Sequence, residues 1–254
     1  MHFIPVKIIQ RISLVAALLC ASHLAAQTNV PPGDVNTAIV PTLRPSENNS
    51  WEKRHEEFVA IATQGGVDVL FMGDSITDFW RNRGSKVWAQ YYAPRHAANF
   101  GISGDRTEHV LWRIDNGELD GIKPKVVVLM IGTNNTGREK DGKPRNTVPE
   151  IAAGVTAVVN DIRTKLPDSK ILLLGVFPRG HLDDLQRSQV ALINTIIAKL
   201  DDGKTVKFLD ISPSFLEADG TLPTSIMPDL LHPNEHGYQI WADAMEPTLA
   251  EMLK

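Results

Sequence analysis

Short runs of apolar residues alternate along the chain with longer segments of helical period. Five such runs are VDVLFMG (67–73), AANFGI (97–102), KVVVLMIG (125–132), KILLLGVF (170–177) and VKFLDI (206–211). Because their apolar character is continuous rather than alternating, they are typical of strands that are covered on both faces, as in a parallel sheet. The pattern therefore predicts a five-stranded parallel sheet.

The segments between these runs have the period of amphipathic helices. In residues 149–166 the apolar positions recur at three- and four-residue spacing, and Pro167 follows as a stop. Similar stripes cover 190–200 and 238–252. Strands that alternate with helices predict right-handed crossovers and a three-layer α/β/α sandwich, the flavodoxin-like class of α/β fold. Ligands of such a sheet bind beyond the carboxyl ends of the strands, so the strand ends are the first place to look for chemistry.

The first 26 residues follow a different pattern. Lys7 and Arg11 precede the apolar run ISLVAALLCA, and small residues follow up to Ala26. This order is typical of a secretory signal peptide, and the run is too short for a permanent membrane anchor. We therefore predict a signal peptide over 1–26, an extended arm rich in Pro, Asn, Ser and Thr over 27–50, and one domain over 51–254. The expected location is secreted or periplasmic.

The single cysteine and the net charge disfavour disulfides, a lipid anchor and nucleic-acid binding. Cys20 lies inside the predicted signal peptide, so the remaining chain has no thiol for a disulfide. Leu18 and Leu19 stand where small residues precede a lipid-anchored cysteine, which disfavours a lipoprotein. The formal net charge is −4, and no basic stripe or arginine-rich run occurs. Nucleic acid is therefore not expected as a partner.

Two kinds of bound group are also disfavoured by the sequence. Neither a GxGxxG nor a complete GxxxxGK[ST] phosphate loop occurs, which argues against a nucleotide cofactor. His236 follows His232 by four residues, but Pro233 stands where a zinc protease carries glutamate. The sequence predicts no cofactor and no metal.

Polar, glycine-rich segments follow the first three predicted strands. They are Gly73-Asp74-Ser75, residues 101–105 (GISGD) and residues 132–135 (GTNN). Turns alone would account for each segment by itself, since Gly, Asp, Asn and Ser are turn residues. For Asp74 and Asp105, capping a helix and fixing a loop are the favoured interpretations.

A fourth polar segment, PDLLHPNEHG, precedes the last predicted helix. Asp229 lies three residues before His232, a spacing that would be an ordinary surface pair within a continuous helix. Pro233 argues against such a helix, because the residue before a proline is displaced from the α region. We therefore place His232 on a loop, with Pro233 opening the helix. A short loop can direct both side chains toward Ser75.

In these four ordered segments the sequence strongly resembles the GDSL or SGNH hydrolases. GDSI corresponds to the serine block, NFGISGDRT to the glycine block, GTNN to the asparagine block and DLLHP to the terminal block. Within that family it is similar to the catalytic subunits of platelet-activating-factor acetylhydrolase type Ib and their secreted bacterial relatives. That similarity extends through NFGISGDRTEHVLWRIDNGEL, VVVLMIGTNN and LLLGVFPRG, and covers roughly residues 51–250.

The resemblance implies a role for five residues. Ser75 would be the nucleophile, His232 the general base and acid, and Asp229 the carboxylate that orients the imidazole. The oxyanion hole would consist of the Ser75 and Gly104 amides and the Asn134 side-chain amide. A serine hydroxyl is a poor nucleophile at neutral pH, so a base within hydrogen-bond reach is the chemistry that this set supplies.

The expected function is a secreted serine esterase that hydrolyses short-chain esters through an acyl-enzyme, with acetyl favoured by the resemblance. Its substrates would be acetylated carbohydrates or small esters. A lysophospholipase or thioesterase acting on longer acyl chains is the alternative within hydrolases, and a non-catalytic glycan-binding module is the alternative outside them. The acetylhydrolase relatives pair through their catalytic subunits, so a homodimer is one possible state of this protein that the sequence does not decide.

Overall fold

Five parallel strands form a single sheet in the order β2-β1-β3-β4-β5 in the computed structural model, which describes residues 35–254. The strands are β1 Val69–Gly73, β2 Ala97–Gly101, β3 Val126–Met130, β4 Lys170–Leu174 and β5 Val206–Leu209. Each lies inside one of the five apolar runs, so the predicted strands are confirmed. The order places β2 and β5 at the two edges and β3 at the centre, between β1 and β4.

Within residues 35–254, seven α-helices connect or flank these strands. They are α1 Ser50–Gln64, α2 Ser75–Asp78, α3 Ser85–Tyr91, α4 Thr107–Asp115, α5 Val148–Lys165, α6 Leu185–Ile197 and α7 Glu235–Met252. The stripes predicted over 149–166, 190–200 and 238–252 correspond to α5, α6 and α7. Shorter 3-10 turns occur between them, including Thr133–Thr136 directly after β3.

The helices cover both faces of the sheet. Leu70 and Met72 of β1 face a core that α1, α4, α5 and α6 complete. Val69 and Phe71, the alternate positions of the same strand, face a second core that α2, α3 and α7 complete. All four side chains are fully buried. This double burial is the physical reason for the continuous apolar runs, and it confirms the three-layer α/β/α sandwich.

The last helix begins two residues later than expected. Asn234 is its N-cap, and the side chain of Asn234 accepts a hydrogen bond from the Gly237 amide at 3.0 Å. The prediction that Pro233 opens the helix is therefore wrong. An asparagine side chain satisfies an unpaired amide of the first turn, which a proline cannot do, so the cap decides where the helix starts. His232 lies on the preceding loop, as predicted.

No helix within residues 35–254 is long and apolar enough to cross a membrane. The predicted signal peptide and the first part of the predicted arm lie outside the described residues. Residues 36–49 of the arm are described, and they run against α4 and α5: the Thr42 amide donates to the Glu108 carbonyl at 3.0 Å, and the Thr107 hydroxyl donates to the Ala38 carbonyl at 2.8 Å.

Candidate active site

Ser75 lies where the interior strand β1 ends and α2 begins. The Asp74 side chain caps this helix by accepting a hydrogen bond from the Ile76 amide at 3.0 Å, which confirms the predicted capping role. The cap ends the strand after Gly73 and places Ser75 at the first helical position. A side chain added at Gly73 would collide with the Met130 carbonyl, so the turn requires glycine here.

Asp229 and His232 are brought together by an unusual turn. Leu230 between them has φ +54°, a left-handed conformation that non-glycine residues rarely adopt. The Leu230 carbonyl is held by the Gly180 amide at 2.8 Å. In this turn one Asp229 oxygen accepts from the amides of Leu231 at 3.2 Å and His232 at 2.7 Å. These two backbone hydrogen bonds therefore fix the orientation of the carboxylate that faces the imidazole.

The three side chains form a continuous hydrogen-bonded chain. Ser75 Oγ lies 2.9 Å from His232 Nε2, and His232 Nδ1 lies 2.7 Å from Asp229 Oδ2. The Phe79 ring packs against the imidazole, with 5.0 Å between ring centroids. The geometry of nucleophile, base and orienting carboxylate matches what serine acyl transfer requires.

The charge state of Asp229 suits its place beside the imidazole. Partial burial raises its pKa, but hydrogen bonds from the His232 amide and ring and from the Leu231 amide outweigh that effect, so the pKa lies below its ordinary value of 3.8. Arg83 adds a cation 3.9 Å from the same carboxylate. Asp229 is therefore ionised near neutral pH, where it accepts the Nδ1 proton of His232 and leaves Nε2 free to act as a base.

Backbone donors lie beside the serine. Within residues 35–254 the amides of Ser75 and Gly104 donate no hydrogen bond to the protein. Ser75 is the first residue of α2, where amides have no intrahelical acceptor. Gly104 has φ +83° and forms the turn after β2. Both amides are thus available to an oxyanion.

The Asn134 side chain is held at the end of β3. Its amide nitrogen donates one proton to the Asp105 carbonyl at 2.9 Å, which leaves its second N–H unused. The preceding strand end passes through Gly132, whose φ of +127° only glycine adopts readily. The structure therefore brings the glycine and asparagine blocks into direct contact.

Asp105 contributes more than the sequence indicated. Its fully buried carboxylate accepts hydrogen bonds from the Trp51 indole at 2.7 Å and from Arg113 Nε at 3.0 Å. Burial raises the pKa of Asp105 to about 6, against the opposing pull of Arg113 and the Trp51 hydrogen bond. Asp105 thus fixes the turn that carries Gly104, as the sequence favoured, and also holds Asn134 through its carbonyl.

Arg179, in the segment after β4, also contacts the asparagine block. Its Nη1 donates to the Thr133 carbonyl and to the Thr133 hydroxyl, both at 3.1 Å. These bonds hold the residue that directly precedes Asn134. A positive side chain after β4 in the FPRG segment was the only signal for this contact.

No cluster of three or more His, Cys, Asp or Glu side chains suited to a metal occurs in the part of the chain that the structure describes. Ser75, His232 and Asp229 thus form one hydrogen-bonded chain at the carboxyl end of β1, and Gly104 and Asn134 follow β2 and β3, the strands on either side of β1. A serine, a base, an acid and three polarised N–H groups are the parts needed for acyl transfer.

Comparison with known proteins agrees with this chemistry. The profile of the GDSL-like lipase/acylhydrolase family matches residues 71–240. The human platelet-activating factor acetylhydrolase IB subunit alpha2 is 36% identical over 225 residues, covering 87% of this chain and 94% of that protein. The human alpha1 subunit is 34% identical over 224 residues, covering 87% and 93%.

Solved structures share the fold. A GDSL-like lipase from Bacteroides thetaiotaomicron superposes with a TM-score of 0.63 at 18% identity, covering 81% of this chain and 99% of that one. An acetylxylan esterase from Geobacillus stearothermophilus superposes with a TM-score of 0.55 at 23% identity, covering 76% and 96%. The same three-layer scaffold thus recurs in proteins of low sequence identity.

Proposed function

The chain belongs to the GDSL-like lipase/acylhydrolase family and is a carboxylic ester hydrolase, and from that premise we propose that it is a secreted serine esterase specific for short acyl groups, acetyl above all. The observation that carries the mechanism is the hydrogen-bonded chain from Ser75 through His232 to Asp229. The acetyl preference is supported by the acetylhydrolase subunits that share about a third of its residues.

The proposed reaction has two halves. His232 Nε2 takes the Ser75 proton as the hydroxyl attacks the ester carbonyl, and then gives that proton to the leaving alcohol. Water next attacks the acyl-enzyme, with His232 again as the base. Asp229 keeps the imidazole in the required tautomer throughout. Each tetrahedral intermediate places its oxyanion among the Ser75 amide, the Gly104 amide and the Asn134 side chain.

The surroundings of the Asn134 turn favour a hydroxyl-rich leaving group. A cavity of about 360 Å³ lies next to this turn. Its lining combines the apolar side chains of Pro144 and Leu185 with the polar side chains of Thr136, Arg138, Asp184, Gln186 and Gln189. Polar side chains of this kind can exchange hydrogen bonds with sugar hydroxyls, which supports acetylated carbohydrates over long-chain lipids as substrates.

The first test is hydrolysis of p-nitrophenyl esters from acetate to octanoate by the protein and by its Ser75→Ala variant. We expect turnover that falls steeply with acyl length and is lost in the variant. Turnover that rises toward octanoate would instead support the lysophospholipase or thioesterase alternative. Turnover that survives the substitution would remove Ser75 from the mechanism.

A second test addresses the leaving group and the compartment. We expect release of acetate from acetylated xylo-oligosaccharides to have a higher kcat/KM than hydrolysis of p-nitrophenyl acetate does, if the polar cavity binds sugar. N-terminal sequencing of the protein recovered from outside the cytoplasm should begin after Ala26. Retention of residues 1–26 on the recovered protein would contradict the proposed signal peptide.

A further inference from the structure

The described part of the N-terminal arm is fixed to the domain close to the catalytic edge. Besides the bonds to Ala38 and Thr42, the Asn146 side chain donates to the Thr37 hydroxyl at 2.9 Å. Ala38 is fully buried, and a side chain added at Gly154 of α5 would lie 2.8 Å from the Ala38 carbonyl. The arm is therefore packed against α5 in a defined register rather than resting loosely on the surface.

Because the arm packs in this way, the Arg44 side chain lies against the turn that contains Gly104. Arg44 Nη1 donates to the Ser103 carbonyl and lies 3.4 Å from Asp105 Oδ1. A Cβ built on Gly104 would lie 2.5 Å from Arg44 Nη2 and 2.9 Å from Cζ, so the guanidinium lies directly over Gly104. About a third of the Arg44 side chain stays exposed.

The Ser103 carbonyl and the Gly104 amide belong to the same planar peptide unit. In a trans peptide the C=O and the N–H point in opposite directions, so a donor that holds the carbonyl also fixes the direction of the N–H. A hydrogen bond to the carbonyl from a cation further polarises the unit and makes the N–H a stronger donor. Arg44 thus acts on the group that the proposed mechanism uses.

We propose that Arg44 is a positioning residue for the Gly104 oxyanion donor, which makes the N-terminal arm part of the active site. This inference rests on the proposed esterase function. The arm lies outside residues 71–240, the segment that the family profile matches.

A plain ion pair with Asp105 does not account for the placement of Arg44. The Asp105 carboxylate already has Arg113 at 3.0 Å and the Trp51 indole at 2.7 Å. Arg44 lies farther from this carboxylate than Arg113 and Trp51 do, at 3.4 Å, and is partly exposed to solvent, where ion pairs contribute little. The bond to the Ser103 carbonyl is the more specific contact.

The inference is tested with Arg44→Ala and Arg44→Lys in the full chain, using p-nitrophenyl acetate. Arg163→Ala is the matched control, since Arg163 is a partly exposed arginine in the last turn of α5 that pairs with Asp202 at 3.4 Å. For Arg44→Ala we expect kcat to fall about tenfold, less than the hundredfold or more lost when an oxyanion donor is deleted, with KM within about twofold of the wild-type value. Added methylguanidinium should restore part of the rate.

Binding of phenylboronic acid separates positioning from general destabilisation. The boronate forms a tetrahedral adduct with Ser75 whose anionic oxygen occupies the oxyanion position, so its Ki should rise in Arg44→Ala by about the factor by which kcat/KM falls. An unchanged Ki and kcat would overturn the inference, as would a rise in KM alone, which would make Arg44 a substrate contact.

Two controls keep the result decisive. If Arg44→Ala does not fold, the same comparison is made with Arg44→Lys, which keeps the charge but loses the planar fork; wild-type kcat and Ki in that variant would overturn the inference. Failure of the proposed function is a separate outcome, because it would show as wild-type protein without esterase activity or as activity retained in Ser75→Ala.

Discussion

The side-chain amide of Asn134 donates a hydrogen bond to the backbone carbonyl of Asp105, with 2.9 Å between the nitrogen and the oxygen. Asn134 follows β3 and Asp105 follows β2, so this bond joins two strand ends that are separated in the sheet by β1. It orients the amide so that its second N–H can serve an oxyanion. Two donors of the proposed oxyanion hole, Gly104 and Asn134, are thereby held as one unit.

For Asn134→Ala we expect the fold to persist and kcat to fall by a hundredfold or more, equivalent to about 3 kcal/mol of barrier. The adjacent Asn135→Ala is the contrasting variant. Asn135 is fully buried and bonds Thr107, Glu108 and Asn146, so its loss should lower the free energy of unfolding by about 1–3 kcal/mol. Steady-state kinetics and denaturant unfolding measure the two effects. An Asn134→Ala rate within a few fold of wild type would remove Asn134 from the mechanism.

Asp229→Ala tests the orienting carboxylate. Since Asp229 holds both the His232 amide and ring, its loss frees the imidazole to rotate and to adopt the wrong tautomer. We expect kcat to fall by about two to four orders of magnitude with little change in KM. Glu235→Ala, a partly exposed acid three residues from His232 that pairs with Lys86, is the control and should retain wild-type kcat. Equal rates for the two variants would contradict the assignment of Asp229.

The buried Asp74 predicts a pH dependence of stability. Burial raises the pKa of Asp74 from 3.8 to about 7, and the Ile76 hydrogen bond only partly opposes this. Between about pH 4 and pH 7 the native state therefore keeps a proton that the unfolded chain has lost, so the contribution of Asp74 to stability falls as pH rises through that window. Its second oxygen has no hydrogen-bond partner in the described residues.

Asp74→Asn removes this titration and keeps an oxygen for the Ile76 amide. Relative to wild type, the variant should therefore gain stability as pH rises from 5 to 8, by on the order of 1 kcal/mol or more. Thermal unfolding at several pH values measures this difference. Asp183→Asn, at an exposed loop position, is the control and should run parallel to wild type. A Tm difference for Asp74→Asn that does not change with pH would contradict the raised pKa.

Arg113 is the buried cation that neutralises two carboxylates. It is fully buried and ion-paired with Asp105 and with Glu118. Arg113→Leu would remove the buried counter-charge of both acids and leave Asp105 only the partly exposed Arg44, so we expect a loss of about 3–5 kcal/mol in the free energy of unfolding. Arg54→Leu is the matched control, because Arg54 pairs with Glu57 at the surface of α1 and should cost at most about 1 kcal/mol. Similar losses from the two variants in urea unfolding would contradict this account.

The sequence by itself determined the strands, most of the helices and the edge of the sheet at which the candidate site lies. Apolar periodicity is a local property, because a strand buried on both faces must be apolar at every position and a helix buried on one side only at every third or fourth. The helix cap at Asp74 could also be predicted from local sequence. A helix that begins directly after Gly-Asp-Ser needs a nearby side chain to accept hydrogen bonds from its first amides. The one boundary error, at Pro233, lay within two residues of the observed cap at Asn234.

Only the tertiary structure decided the contacts that join distant segments. The left-handed Leu230 that turns Asp229 toward His232, the bond from Asn134 to Asp105, and the placement of Arg44 over Gly104 have no periodic or compositional signal. Each depends on the path of a loop or arm between fixed points, and that path is set by many weak contacts with other elements rather than by its own residues. For this reason the sequence could name the residues of the site, while their orientation became visible only in the folded chain.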